Sequence, residues 1–303
     1  MYHQPVLLHE SINLLDIQPD GTYIDVTFGG GGHSQEILNR LGEKGRLIAF
    51  DRDADARKNI ISDERLTLIA SDFKFIEIKI RENKIGAIDG ILADFGVSSH
   101  QFDTAERGFS FRFDAPLDMR MDTSSDFSAA NVLNEYEYDD LEKIFRQYGE
   151  VPNSRNLARA IVALRKTEEI KTTFQFEKMI EADCIPKKDR HKYLAQVYQA
   201  LRIEVNGELD SLKALLEGAT KLLKPQGRMV TIAYHSLEDR LVKHHFRSGN
   251  FEDKLEKDFF GNPIKPWEML TKRPIEPSEA EIEANPRARS AKLRAAKKLI
   301  VKS

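Results

Sequence analysis

The sequence predicts an α/β fold: a Rossmann-like, mostly parallel sheet interrupted by an inserted, mostly helical domain. Four observations carry that expectation. Short apolar runs alternate with amphipathic ones over about the first hundred residues, the first of them leads into Gly29–Gly32, and acids recur at successive strand ends (Asp25, Asp51, Asp72, Asp94). From about Thr104 to Arg202 the strand pattern is absent, and it then resumes. Alternating β and α elements with apolar strands build a parallel sheet covered on both faces.

In chain order, strands are expected at 22–27, 45–50, 66–70 and 87–93, with helices at 34–41, 54–60 and 73–82. Strand order should reverse after the first strand, which puts a ligand at the carboxyl ends of strands one, two and four. Helices follow at 128–133, 138–148, 153–166, 174–181 and 192–203, then a helix at 208–223, a turn at 224–227, a strand at 228–233 and a helix at 237–246. The Pro-, Gly- and Asn-rich segment 249–285 reads as loops, and the basic tail after it as a last edge strand. The expected division is a first domain part at 1–103, a helical insertion at 104–203 suited to RNA recognition, and a second domain part at 204–303 ending in the basic tail.

The 303 residues, 41% hydrophobic and 31% charged, describe a globular protein with a full core. The start lacks a basic-then-apolar signal pattern, no apolar run approaches the roughly 18 residues of a membrane span, and Cys184 is the single cysteine. A cytoplasmic protein without disulfides or a multi-cysteine zinc site is expected. His244 and His245 lack partner ligands at usable spacing for zinc. Net charge is −3, yet two clusters are basic: Lys187, Lys188, Arg190, His191 and Lys192, and the tail carrying Arg287, Arg289, Lys292, Arg294, Lys297, Lys298 and Lys302. Either cluster could meet phosphate or be a solvated face.

The glycine run lets a ligand lie on backbone, and the helix that follows points free N–H groups at it. Asp51, about twenty residues on, is spaced to accept from both hydroxyls of a ribose. The dinucleotide fingerprint fails, since its third glycine falls on Ser34 or Gln35, and no Walker lysine is present. Each acid at a strand end would by itself be read as a helix N-cap; four in register suit S-adenosylmethionine. The glycine loop would meet its amino-acid portion and Asp51 the ribose. Phe73 would pack on the adenine, whose edge Asp72 or neighbouring backbone reads, and Asp94 would lie near the methyl group.

Over nearly its whole length the chain resembles the MraW/RsmH family. The matching segments are His3-Gln4-Pro5-Val6-Leu7-Leu8, Thr27 to Ser34, Asp94-Phe95-Gly96-Val97-Ser98-Ser99, Glu106 to Phe111, Pro116 to Met121, Gln199 to Ile203, His235-Ser236-Leu237-Glu238-Asp239-Arg240 and Asn285 to Ser290. The resemblance implies a class I S-adenosylmethionine methyltransferase acting on the exocyclic N4 of a cytidine in the decoding region of bacterial 16S ribosomal RNA. It implies cofactor contacts at Gly31, Gly32, His33, Asp51, Phe73, Asp94 and Gln101. Gly30, Val26 and Ala115 depart from the family's pattern without removing a carboxylate.

Exocyclic methylation requires the amine, methyl and sulfur to be aligned and a proton to leave the amine. Asp94 and His235 are the catalytic candidates. Carbon-5 methylation would need a thiolate, and Cys184 in the insertion reads as an apolar filler. Arg120, Ser236 and Arg289 are candidates for substrate RNA, with Arg107, Arg112 and Arg202 beside them. Arg120 could equally pair with Asp118 or Asp122, and Ser236 could cap the next helix with Asp239 completing the box. Phe109, Phe111 and Phe113 alternate as on a half-buried strand, with packing preferred to base stacking. The insertion and tail would flank a cleft into which a flipped cytidine enters. The substrate is the RNA itself or the small ribosomal subunit; no membrane partner is expected, and a homodimer is left open.

Overall fold

The structure, a computed structural model, describes residues 5–300. His3, Gln4 and Lys302, cited above, lie outside the described residues. The chain forms two compact units, one running up to Gly96 and again from Leu209, the other Val97–Glu208. The first unit opens with α1 (Leu8–Leu15), β1 (Thr22–Asp25), α2 (Gly32–Arg40) and β2 (Arg46–Asp51). It continues with β3 (Leu66–Ala70), α3 (Ile76–Glu82) and β4 (Ile88–Asp94). Ala54–Asn59, expected as part of an α-helix, is a 3-10 turn. Its only buried side chain is Ala56, too little apolar surface to hold a longer helix against the sheet.

The second unit is helical: α4 (Ser99–Asp103), α5 (Ala129–Glu135), α6 (Tyr138–Gln147), α7 (Ser154–Leu164), α8 (Thr173–Cys184) and α9 (Arg190–Asn206). Leu133, Leu141, Phe145, Leu157, Ile161, Phe176, Val197 and Leu201 are fully buried in one core. Val97, Phe102 and Val205 pack against it, so these flanking residues belong with the helices, whereas the sequence expectation was 104–203. Phe109–Phe113 lies in turns, not on a strand, because Met119 N–H bonds to Arg107 O and folds the segment back. Phe109 is buried, Phe111 meets Tyr198 edge-on at 5.3 Å, and Phe113 is exposed.

The chain returns through α10 (Glu208–Leu222), β5 (Leu223–Ala233), α11 (Ser236–Ser248), a short hairpin of β6 (Glu256–Lys257) and β7 (Pro263–Ile264), β8 (Trp267–Met269), α12 (Glu279–Ala284) and β9 (Lys292–Lys298). The seven-stranded sheet has the order β3-β2-β1-β4-β5-β9-β8. The pairs among β1–β5 are parallel, and β9 is antiparallel to both neighbours. Order reverses at β1, with β2 on one side and β4 on the other, as the sequence predicts. Ile24, Ile48 and Ile91 face one core, Tyr23, Leu47 and Leu92 the other, the period-two alternation of strands buried on both faces.

Three expectations change. Residues 224–227 belong to β5, which carries a register shift against Ile88 and Gly90. Segment 249–285 is not all loop: Trp267, fully buried against Phe246, anchors β8. The basic strand β9 is therefore internal, and β8 takes the edge. Among the described residues no helix is long and apolar enough to cross a membrane.

Candidate active site

The carboxyl ends of β1, β2 and β4 meet the glycine loop. Gly31 caps α2 in the left-handed region (φ 78°), where a side chain is strained. Gly32 opens the helix, and a Cβ there would lie 2.2 Å from Pro5 Cγ. Pro5 and Val6 thus lie on the loop. His33 is buried, with Nε2 3.2 Å from the Val6 carbonyl oxygen and Nδ1 3.9 Å from Asp94 Oδ2. Asp25 is buried and engaged: Oδ2 accepts from Ser34 Oγ at 2.7 Å and Oδ1 from Thr27 N–H at 3.1 Å. Thr27 Oγ1 in turn accepts from Asp94 N–H at 2.7 Å, which ties β1 to β4 at the site.

Asp51 accepts from Gly29 N–H at 2.8 Å on one oxygen and from Asp53 N–H at 2.8 Å on the other. Burial outweighs those hydrogen bonds and pushes its carboxyl up to about 6. Asp94 accepts from the Tyr234 hydroxyl at 2.8 Å on Oδ1. Burial pushes it up to about 6 as well, against the pull of His33 and Tyr234. Both carboxylates, on either side of β1, thus sit where withdrawal from water outweighs their hydrogen bonds and, for Asp94, the nearby His33. Phe73 is half-buried, its ring centroid 6.2 Å from that of Phe95. Asp72 is engaged within the fold: Oδ1 accepts from Lys74 N–H at 2.8 Å, and Oδ2 from Arg52 at 3.0 Å and Ser211 at 3.1 Å. Of the four strand-end acids, only Asp72 caps a helical turn.

The start of α11 differs from its expected form. His235, not Ser236, is the N-cap: its Nδ1 accepts from Glu238 N–H at 3.4 Å, and Glu238 Oε2 accepts from Tyr234 N–H at 3.0 Å. Glu238 reaches back past the cap to Tyr234 N–H, so no reciprocal box forms, while Asp239 forms a bidentate pair with buried Arg294. The helix begins one residue before its expected start, so Ser236 occupies the first helical position, exposed. His235 Nε2 is buried and lies 3.2 Å from Glu238 Oε1, and it has no hydrogen-bond partner among the described residues. Tyr234 and Glu238 are site residues that sequence reasoning missed.

In the helical unit, Gln101 is buried and forms the capping box of α4 with Ser98. Arg120 is gripped by Asp118 through Nε at 2.7 Å and Nη2 at 2.8 Å, and also donates to the Ser125 carbonyl. Arg107 donates to the carbonyls of Arg120 and Met121, and Arg202 pairs with Glu208. These three hold the fold. Arg112, and Arg289 in the sheet unit, are exposed. Cys184 is buried and its thiol is pushed up to about 11 by burial, in keeping with a filler. His245 is a core histidine, driven down to about 4 by burial, with Nε2 2.9 Å from Thr220 Oγ1.

Known proteins resemble this chain over nearly its whole length. A family model described as the MraW methylase family matches residues 1–299. The ribosomal RNA small subunit methyltransferase H of Flavobacterium johnsoniae is 55% identical over 298 residues, 98% of each chain. The protein of the same name from Bacteroides thetaiotaomicron is 54% identical over 297 residues, 98% of this chain and 97% of that one.

Proposed function

The chain belongs to the MraW methylase family, and from that premise we propose that it transfers the methyl group of S-adenosylmethionine to the exocyclic N4 of a cytidine in the decoding region of 16S ribosomal RNA. The observation that carries this reading is the pair Asp51 and Asp94, partly buried carboxylates on either side of β1 whose carboxyls are pushed up to about 6, beside a loop without side chains. A ribose and an amine are neutral donors that suit such acceptors.

Bound S-adenosylmethionine supplies an activated methyl on a sulfonium. Gly31, Gly32 and His33 would hold its amino-acid portion, Asp51 the ribose and Phe73 the adenine, with Asp94 beside them; Gln101 is the further contact that the family resemblance implies. Tyr234 fixes one oxygen of Asp94, and the other, 3.9 Å from His33 Nδ1, would accept from the target amine. A hydrogen bond from the amine raises the electron density on nitrogen, and Asp94 is a candidate to receive the departing proton. His235, with a buried unpartnered Nε2, is the second candidate. The helical unit and exposed Arg289 and Ser236 would hold RNA, within the small subunit in the cytoplasm. Arg120 would reach RNA only by leaving Asp118.

The test is mass spectrometry of 16S ribosomal RNA from cells with and without the gene. A decoding-site cytidine whose methylation does not depend on the gene sinks the proposal.

A further inference from the structure

Phe259 is 98% exposed and Phe260 85%. They occupy the turn Asp258-Phe259-Phe260-Gly261-Asn262 between β6 and β7. The turn is ordered without help from either ring. Asp258 N–H donates to Asn262 O at 2.9 Å and Gly261 N–H to Asp258 O at 2.9 Å. Asp258 Oδ1 accepts from the backbone N–H of Phe260 and Asn262, and Oδ2 from Asn262 Nδ2. Its base is fixed as well: β8 begins shortly after β7 and pairs with β9, and Leu299 N–H donates to Pro266 O at 2.8 Å. Two large apolar rings are thus held out in water by a turn that does not need them.

Their geometry favours one kind of partner. The centroids lie 5.6 Å apart and the planes cross at 87°. The pair therefore presents separate flat faces in different directions, each the size of a base, rather than one continuous apolar knob for a protein pocket. Sequence-tolerant single-strand binding works through such faces. Lys254, Lys257 and Lys265 are exposed around the hairpin. Of the nearby acids, Asp253 pairs with Arg247, Asp258 is turned into the turn, and Glu268 pairs with Lys297; Glu252 and Glu256 stand against the three lysines. We propose that the Phe259–Phe260 tip is an RNA-contact element of the sheet unit, stacking unpaired bases of the small-subunit RNA while the flanking lysines meet phosphate. The inference rests on the RNA substrate proposed above.

The test uses the full chain. Phe259→Ala/Phe260→Ala should bind small ribosomal subunits at least about tenfold more weakly, since each lost stack costs several-fold. Melting temperature and S-adenosylmethionine affinity should be unchanged, and Phe259→Trp/Phe260→Trp should restore subunit binding. A photoreactive benzophenone amino acid replacing Phe260 should crosslink to ribosomal RNA. Unchanged subunit affinity in the alanine variant, or crosslinking to a ribosomal protein or a second copy of the chain in place of RNA, overturns the proposal. The two readings fail separately. A wild-type protein that binds through the tip yet transfers no methyl sinks the reaction and leaves the tip. Methylation by wild type with an alanine variant that binds equally well sinks the tip and leaves the reaction.

Discussion

A carboxyl group withdrawn from water prefers to keep its proton, and Asp51 and Asp94 are both in that condition, each pushed up to about 6, Asp94 even with His33 nearby. Between their unfolded range near 4 and about 6 the folded chain binds more protons than the unfolded one. These two groups therefore favour the ligand-free fold at low pH, and that contribution is lost as pH rises through about 6. Cofactor binding has the opposite dependence, because a protonated carboxyl offers a poorer acceptor to a ribose or an amine. The rise in melting temperature produced by saturating S-adenosylmethionine should accordingly be larger at pH 8 than at pH 5; thermal melts with and without cofactor check this, and an equal shift at both values refutes it. Asp51→Asn keeps the shape but loses charge-assisted acceptance, which is worth about 1.5–3 kcal/mol. Cofactor affinity by calorimetry should fall by roughly ten- to a hundredfold. Strand-end spacing was enough to locate Asp25, Asp51, Asp72 and Asp94 in the sequence. It could not say that Asp25 serves Ser34 or that Asp72 serves Arg52 and Ser211, nor reveal Tyr234, whose partner Asp94 is 140 positions away.

At the scale of elements, the functional contacts gather where a strand gives way to a helix. α11 shows why that matters. Its cap is an imidazole, and Glu238, at the third helical position, accepts from the N–H of Tyr234 just before the cap. His235→Ala should lower stability by about 1 kcal/mol, the usual cost of a lost cap, and His235→Asn should recover it. Methyl transfer should stay depressed in His235→Asn, because only the imidazole carries the buried, unpartnered Nε2; denaturant melts and transfer assays on the same two variants separate cap from chemistry. At α2, Gly32→Ala puts a Cβ where Pro5 lies. It should destabilise the protein by about 1–3 kcal/mol and release the Val6–His33 contact, seen as a lower melting temperature and weaker cofactor binding. The strand β3 was legible to the residue from its apolar run, whereas the 3-10 turn at Ala54–Asn59 was not, because helix-forming residues there have no core to face. The order of β9 and β8 was hidden for another reason. It depends on Trp267 finding Phe246, a contact that no local pattern encodes.

At the scale of the whole molecule, the basic tail has two parts with different duties. Arg287 and Arg289 lie on the exposed 3-10 turn Pro286–Ser290. The residues after it form β9, hydrogen-bonded on both edges, with Leu293, Ala295 and Ala296 fully buried and Arg294 paired to Asp239. Removing the tail is therefore not a test of RNA binding. A chain ending at Ser290 would strip the sheet of an internal strand, expose β5 and strand β8, and leave Asp239 without its cation. It should fail to fold cooperatively, as circular dichroism and thermal melting would show. Charge reversal at the exposed turn isolates the other duty. Arg289→Glu should leave the melting temperature unchanged and weaken binding to small-subunit RNA. If Arg289 meets one phosphate, the slope of log affinity against log salt should become shallower by about 0.7–0.9. A salt slope equal to that of wild type would remove Arg289 from the RNA surface. The exposed positions Arg112 and Ser236, together with the Phe259–Phe260 tip, would then remain to hold the substrate.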